Sequence, residues 1–226
     1  MTRKLTSEFI GTFFLLLIVV GSGIMGQNLS QDVGVTLLAN SLATAFGLIV
    51  LIWIFSQHSG AHFNPAVSLI MYLQDEISRR DLFLFIPVQT AGGILGVLSA
   101  NYIYGLEVIQ LSEKDRFSQE IFVSEIIATF GLLLTILSIG KHKKDFVALS
   151  VGLYIGAAYW FTASTSFANP AVSVARIFTN TFTGIAYQDV VFFIIAQFIG
   201  AILAWAVCKF ISVSYTHLTL PTIYSV

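Results

Sequence analysis

Charge is the scarcest commodity in this chain: 11 lysines and arginines and 12 aspartates and glutamates among 226 residues make only 10% charged positions, against 56% hydrophobic ones. Soluble domains carry roughly a quarter of their residues as charges, so this shortage, with a mean hydropathy of +0.85, excludes a soluble globular fold and points to a membrane protein. The formal net charge of -1 leaves no basic surface for nucleic acid and no strong attraction for an acidic partner. Cysteine occurs once, at Cys208, which excludes an internal disulfide framework and leaves that residue a packing role in a helix. His58 and His62 have the i, i+4 spacing of a metal pair, but no cysteine or acid joins them in the sequence, so neither a metal nor a cofactor is expected.

What the chain does have is long apolar runs. Crossing the hydrocarbon takes about 20 apolar residues, and six stretches approach this: Leu5 to Met25, Val35 to Phe55, Leu82 to Tyr104, Ile121 to Ile139, Phe146 to Thr162 and Val190 to Ile211. The first is not a secretory signal, because Glu8 interrupts it, it is too long, and no small-residue cleavage pattern closes it. Arg3, Lys4, Arg79, Arg80, Lys141, Lys143, Lys144 and Lys209 all fall on one side of the resulting topology, while Lys114 and Arg116 lie opposite among Glu107, Glu113 and Asp115. Basic residues are retained on the cytoplasmic side, so both termini are expected there, in a multi-pass protein of the inner (plasma) membrane.

The two halves, about 1–106 and 117–212, repeat. "TSEFIGTFFLL" from Thr6 aligns with "VSEIIATFGLL" from Val123, setting Glu8 against Glu125; "HFNPAVSL" from His62 aligns with "FANPAVSV" from Phe167; "VQTAGGILG" from Val88 aligns with "AQFIGAILA" from Ala196. Such registers at nearly constant offset mark an internal repeat. With three spans per half, the second half must be upside down relative to the first, an architecture that builds a path at the midplane from interrupted helices.

The interruptions are visible. "SQHSGAHF" and "TASTSF" each lead into Asn-Pro-Ala and a segment too short to span, Asn64 to Leu73 and Asn169 to Thr179. Proline at the first helical position (Pro65, Pro170) needs no partner for its missing N-H, and the asparagine before it caps the helix. Inverted symmetry then points two half-helix amino termini at each other, where irregular backbone survives only if buried in protein or lining a wet cavity. The half-helix dipoles put partial positive charge at the pore centre. Asn64 and Asn169 donate to a passing oxygen, and carbonyls from about Gly60 to Phe63 and Thr165 to Ala168 accept. Neutral hydroxylic solutes pass while cations and a proton wire are stopped. His62 is expected to line the cytoplasmic half of this path. Gly92, Gly93, Gly96 and Gly200 are expected to let helices approach closely, and the intramembrane acids Glu8 and Glu125 to accept loop N-H groups rather than carry protons.

At these residues the chain resembles the aquaporin, or major intrinsic protein, family, over nearly its whole length through the sixth span. The paired boxes including Ala66 and Ala171, the "SGAHFNPAV" context, Glu8 and Glu125 in E-x-x-x-T settings and the Gln89 and Gln197 glycine motifs all match. The resemblance implies an all-α membrane fold of six transmembrane helices plus two re-entrant half-helices, a homotetramer in the lipid bilayer with one pore per subunit, no enzymatic activity, and Glu8 and Glu125 bracing the re-entrant loops.

In most of that family an arginine stands three residues after the second asparagine and forms the narrowest constriction. Here that position is Val172. Carried over by spacing, its companions are Thr44 and Ser166, and the fifth-span member is Ala157 by spacing or Tyr159 by glycine context. Thr44, Ser166 and Val172 are small, implying a wider, less polar constriction than a water-selective channel has. Arg176, one turn further, either reaches toward the filter or sits at the outer mouth. Ser173 replaces the aspartate usual in glycerol channels. The chain looks more like a bacterial subgroup with "STSFANPAV" and a filter valine, some members of which occur beside arsenic-resistance genes, so arsenite joins water and glycerol-like polyols as an implied solute. A water-selective channel, a secondary transporter of like architecture and a junction protein with a closed pore are the alternatives.

One channel domain, 1–212, is therefore expected. The remainder, "VSYTHLTLPTIYSV" from Val213 to Val226, reads from Val213 to Leu218 as a translation of a transposase-type sequencing adapter, and is taken as non-native. Sequencing the locus from source DNA with independent primers is expected to return a different terminus, and deleting 213–226 to leave transport unchanged; recovery of the same tail would refute this.

Overall fold

The computed structural model describes residues 1–216; the expectation for the segment 213–226 falls, past the end of the last helix at Thr216, outside the described residues. Among the described residues eight α-helices follow in order: α1 (Thr2–Leu29), α2 (Val33–Ser59), α3 (Pro65–Leu73), α4 (Arg79–Ile103), α5 (Gln119–His142), α6 (Val147–Phe161), α7 (Pro170–Ala175) and α8 (Tyr187–Thr216). No strand occurs among the described residues. Five of them, α1, α2, α4, α5 and α8, are long and apolar enough to cross a membrane. The sixth expected span, α6, is 15 residues, about 22 Å at 1.5 Å per residue against a hydrocarbon of ~30 Å. A 3-10 turn at Lys144–Phe146 extends it at its amino end.

The packing carries the repeat. Helix α1 lies against α2 and α4 as α5 lies against α6 and α8, and α2 meets α6 at the seam between halves. Each half-helix also crosses over: α3 touches α8 and α7 touches α4, so neither half closes its own pore wall. Glycines set the tightest approaches. A Cβ on Gly92 would collide with the carbonyl oxygen of Phe9, one on Gly96 with that of Phe13, and one on the repeat-related Gly200 with that of Ile126. Gly93 differs, facing the Cβ of Ala175 on α7. At the seam, Gly152 leaves room for Ala45 and Ile49 of α2.

Two buried glutamates hold the re-entrant loops in place. Glu8 Oε1 accepts from Ser59 Oγ at 2.6 Å and the N-H of His62 at 3.0 Å, and Oε2 accepts from the N-H of Phe63 at 2.7 Å and Gln89 Nε2 at 2.8 Å. Glu125 Oε1 accepts the N-H of Phe167 at 2.9 Å, and Oε2 the N-H of Ala168 at 3.0 Å and Gln197 Nε2 at 2.7 Å. Each glutamine donates a second bond into its own half-helix, Gln89 to Ser68 Oγ and Gln197 to Ser173 Oγ, both at 2.9 Å. A glutamate, a glutamine and a serine thus form one brace, built twice. Both glutamates are fully buried and their oxygens meet only donors here, which is the arrangement of a structural acceptor.

Glu125→Gln keeps the size of the side chain but turns an amide toward backbone donors, removing bonds worth ~1.5–3 kcal/mol each for a charged acceptor. A clear fall in the thermal unfolding midpoint of the detergent-solubilised protein is expected, with Glu8→Gln behaving alike. An unchanged midpoint in both would show that the braces carry no stability.

Candidate functional site: the central pore

Both re-entrant loops turn through the left-handed region at matching places. Gly60 (φ 89°) corresponds to Thr165 (60°), Ala61 (52°) to Ser166 (50°), and Phe63 (49°) to Ala168 (46°). For residues with a Cβ this conformation costs ~1–2 kcal/mol each, and it persists because the glutamate braces fix the adjoining N-H groups. The turn delivers each asparagine to its half-helix. Asn64 Oδ1 accepts from the N-H of Ala66 at 2.9 Å, Asn169 Oδ1 from that of Ala171 at 3.0 Å, and Pro65 and Pro170 follow at the first helical position.

The amides meet across the repeat. Asn64 Nδ2 donates to the carbonyl of Ala168 and Asn169 Nδ2 to that of Phe63, each at 2.8 Å. Each of those carbonyls gives one of its two lone pairs to the opposite asparagine, and both residues line the cavity. One hydrogen of each amide is fixed and the other is left toward the cavity, because an NH2 group has two donors.

A cavity of about 1480 Å³ passes these asparagines. One end is walled by Lys4, Gln57, His58, Asp75, Lys141 and Asp145; the other by Thr44, Tyr159, Ser166, Phe167, Val172 and Arg176. Between them the wall is apolar, with Leu15, Leu48, Val67, Leu132, Val151 and Ile155. His62 lines the first half, its Nδ1 3.0 Å from Ser68 Oγ and its ring edge-on to Phe85. Among the described residues no three histidine, cysteine or acidic side chains gather as a metal site.

The filter-end residues are placed as follows. Thr44 Oγ1 and Tyr159 Oη lie 3.2 Å apart, both buried. Tyr159 occupies the α6 position on the cavity. Ala157 does not: it is exposed on the outer side of α6, two residues and so about 200° around the helix from Tyr159. Spacing alone named Ala157 because it ignores which face of the helix turns inward. Val172 is buried in the first turn of α7 with its side chain on the cavity. Ser166 is buried, and its Oγ has no hydrogen-bond partner. Arg176, only 4% exposed, reaches the same end of the cavity; its Nε donates to the carbonyl of Thr183, and its guanidinium lies 3.5 Å from the centroid of the Phe167 ring.

Two features escaped the sequence. Arg116, in the segment between α4 and α5, also lies over Phe167, at 5.2 Å, and nothing local in the sequence links positions so far apart. The glutamine to serine bonds of the braces did have a signal: Ser68 and Ser173 fall at equivalent places in the repeated boxes.

The profile of the Major intrinsic protein family matches residues 1–168 and 140–224. The chain is 46% identical to aquaglyceroporin AqpS of Rhizobium meliloti (strain 1021) over 93% of its own length and 91% of that protein's. It is 31% identical to glycerol uptake facilitator protein-like 6 of Lactiplantibacillus plantarum, covering 89% of this chain and 94% of that one. Its fold is that of the aquaglyceroporin of Plasmodium falciparum solved by X-ray crystallography, with a TM-score of 0.70 at 23% identity, over 92% and 94% of the two chains. By repeat, fold and sequence, this chain belongs to the major intrinsic protein family.

Proposed function

We propose that the protein is a passive channel for small uncharged solutes, water and glycerol-like polyols among them. The observation that carries this is the reciprocal pair of bonds from Asn64 and Asn169 to the opposite loop's carbonyl, inside a cavity whose flanks are apolar. The remaining amide hydrogens offer two oriented donors where two half-helix amino termini meet. A water or hydroxyl that accepts from them cannot at once accept from a neighbouring water along the apolar wall, which breaks a proton wire. The same positive field opposes cations. Relatives named as aquaglyceroporin and glycerol facilitator support the polyol part of this reading. By the family resemblance the subunits form a homotetramer in the inner (plasma) membrane, with both termini cytoplasmic and each pore independent.

The filter we assign to Thr44, Tyr159, Ser166 and Val172. Val172 brings no donor and little bulk, so a branched trihydroxide of the size of glycerol or arsenite finds width there, and Arg176 supplies the cation from one turn further along. A permeability series of water, glycerol, urea and arsenite on one proteoliposome preparation tests the assignment: fluxes that neither saturate steeply nor follow ion gradients are expected. Flux driven by an ion gradient would mean a coupled carrier, and no flux a closed scaffold.

Two substitutions test the parts. Asn64→Asp or Asn169→Asp places negative charge at the half-helix ends, and proton or sodium leak is expected to rise several-fold over the parent. Ion tightness equal to the parent in both folded variants would remove the boxes from the barrier. Val172→Arg is expected to lower the glycerol-to-water and arsenite-to-water permeability ratios several-fold, since single-file water needs less width and the new donors replace part of its hydration. An unchanged ratio in the folded variant would take Val172 out of the filter.

A further inference from the structure

Three cations gather behind the Val172 end of the cavity: Arg176 lines it, and Arg116 and Lys114 lie near enough to feel its charge. Lys114 Nζ donates to the carbonyl of Phe182 at 2.7 Å; Arg116 donates through Nε to that of Gly184 at 2.6 Å and through Nη2 to that of Phe182 at 2.9 Å; Arg176 donates to that of Thr183. The nearby acids are engaged elsewhere. Asp189 Oδ2 accepts the backbone N-H groups of Arg116 and Phe117 at 2.6 and 3.1 Å, Asp115 accepts from Gln188, and Glu125 is held in its brace. Carbonyls and the Phe167 ring orient the guanidinium groups, and the Glu125 carboxylate, though held in its brace, offsets part of their charge. The charges feel one another: burial, then Arg116 and Arg176, push the Lys114 ammonium from 10.5 down to about 8.

Arg176, 4% exposed, lines the cavity and spends its Nε on the carbonyl of Thr183. Ser166 Oγ, equally buried and lining the same end, has no hydrogen-bond partner. Buried cations and hydroxyls without partners are costly unless something completes them, and a guanidinium fork matches two oxygens on one atom. Val172, which carries no donor, lines the same end of the cavity.

We propose that the Arg176 and Ser166 end of the pore is a binding site for a small monovalent oxyanion, with Arg116 and Lys114 supplying the surrounding positive charge. This rests on the channel reading only for its effect on flux: an anion seated there occupies the path that neutral solutes take and slows them. It is not expected to pass readily, since the apolar wall between the filter and the asparagines offers no replacement for its hydration.

Methanesulfonate is a suitable probe, being small, monovalent and ionised at every working pH; gluconate at equal ionic strength and osmolarity serves as a bulky monoanion control. With the probe on both faces of proteoliposomes, water permeability of the parent is expected to fall at millimolar methanesulfonate and not with gluconate. The half-effect concentration is expected to rise about tenfold in Arg176→Gln, the scale of one charge-assisted contact, and severalfold in Arg116→Gln and Ser166→Ala. Methanesulfonate is also expected to raise the thermal midpoint of the solubilised parent over gluconate, a readout that needs no flux and so separates failure of the site from failure of the channel reading. No slowing and no stabilisation in the parent, equal effects of both anions, or the parent's sensitivity retained in Arg176→Gln would overturn the site. Should that variant not fold, retention in both Arg116→Gln and Ser166→Ala would do the same.

Discussion

An asparagine amide has two hydrogens, and the pore centre depends on how each is used. One hydrogen of Asn64 and one of Asn169 bond to the carbonyl of the opposite loop, so the two half-helices are tied amino end to amino end and each amide is held in one orientation. The second hydrogen is then left toward the cavity. Nothing in either half alone could fix this, because each bond needs a loop from the other half in a left-handed turn. Those turns are strained, and the two glutamate braces hold them. The chain of dependence therefore runs from Glu8 and Glu125, through Phe63 and Ala168, to the amide donors on the cavity.

The inverted repeat was legible because it is written in short local motifs. Asn-Pro-Ala states a helix start wherever it occurs, and two such starts in register state the architecture. Glu8 and Glu125 were equally plain, since an acid inside an apolar run needs donors and the loops have them to offer. The filter was less legible, for a geometric reason. Residues two apart on a helix face nearly opposite directions, so Ala157 and Tyr159 could be told apart only once the inward face of α6 was known. Arg116 was invisible for another reason: it reaches Phe167 from a loop that is stapled to the second re-entrant segment by bonds such as Ser112 N-H to the carbonyl of Ile177 and Ala186 N-H to that of Lys114, and neither has a sequence signature.

The repeat is also informative where it fails. His62 and Phe167 occupy equivalent places two residues before their asparagines, yet one bonds to Ser68 and the other sits beneath two guanidinium groups. The braces behind them are nearly identical, as are the aromatic neighbours Phe85 and Phe193. Symmetry thus builds the paired asparagines at the centre, and departures from symmetry give the two mouths different chemistry: a polar imidazole on one side, and a cationic, ring-backed end on the other. Val172 keeps the symmetry, since its repeat partner is Val67, and the cation at that end of the cavity is Arg176.

The central claim is that oriented asparagines let neutral molecules through while interrupting proton transfer. Simultaneous recording of osmotic volume change and internal pH on the same proteoliposomes tests it most directly. Water permeability well above that of empty vesicles, with proton permeability no higher than theirs, is the predicted result. Proton flux rising together with water flux in the parent protein would contradict it.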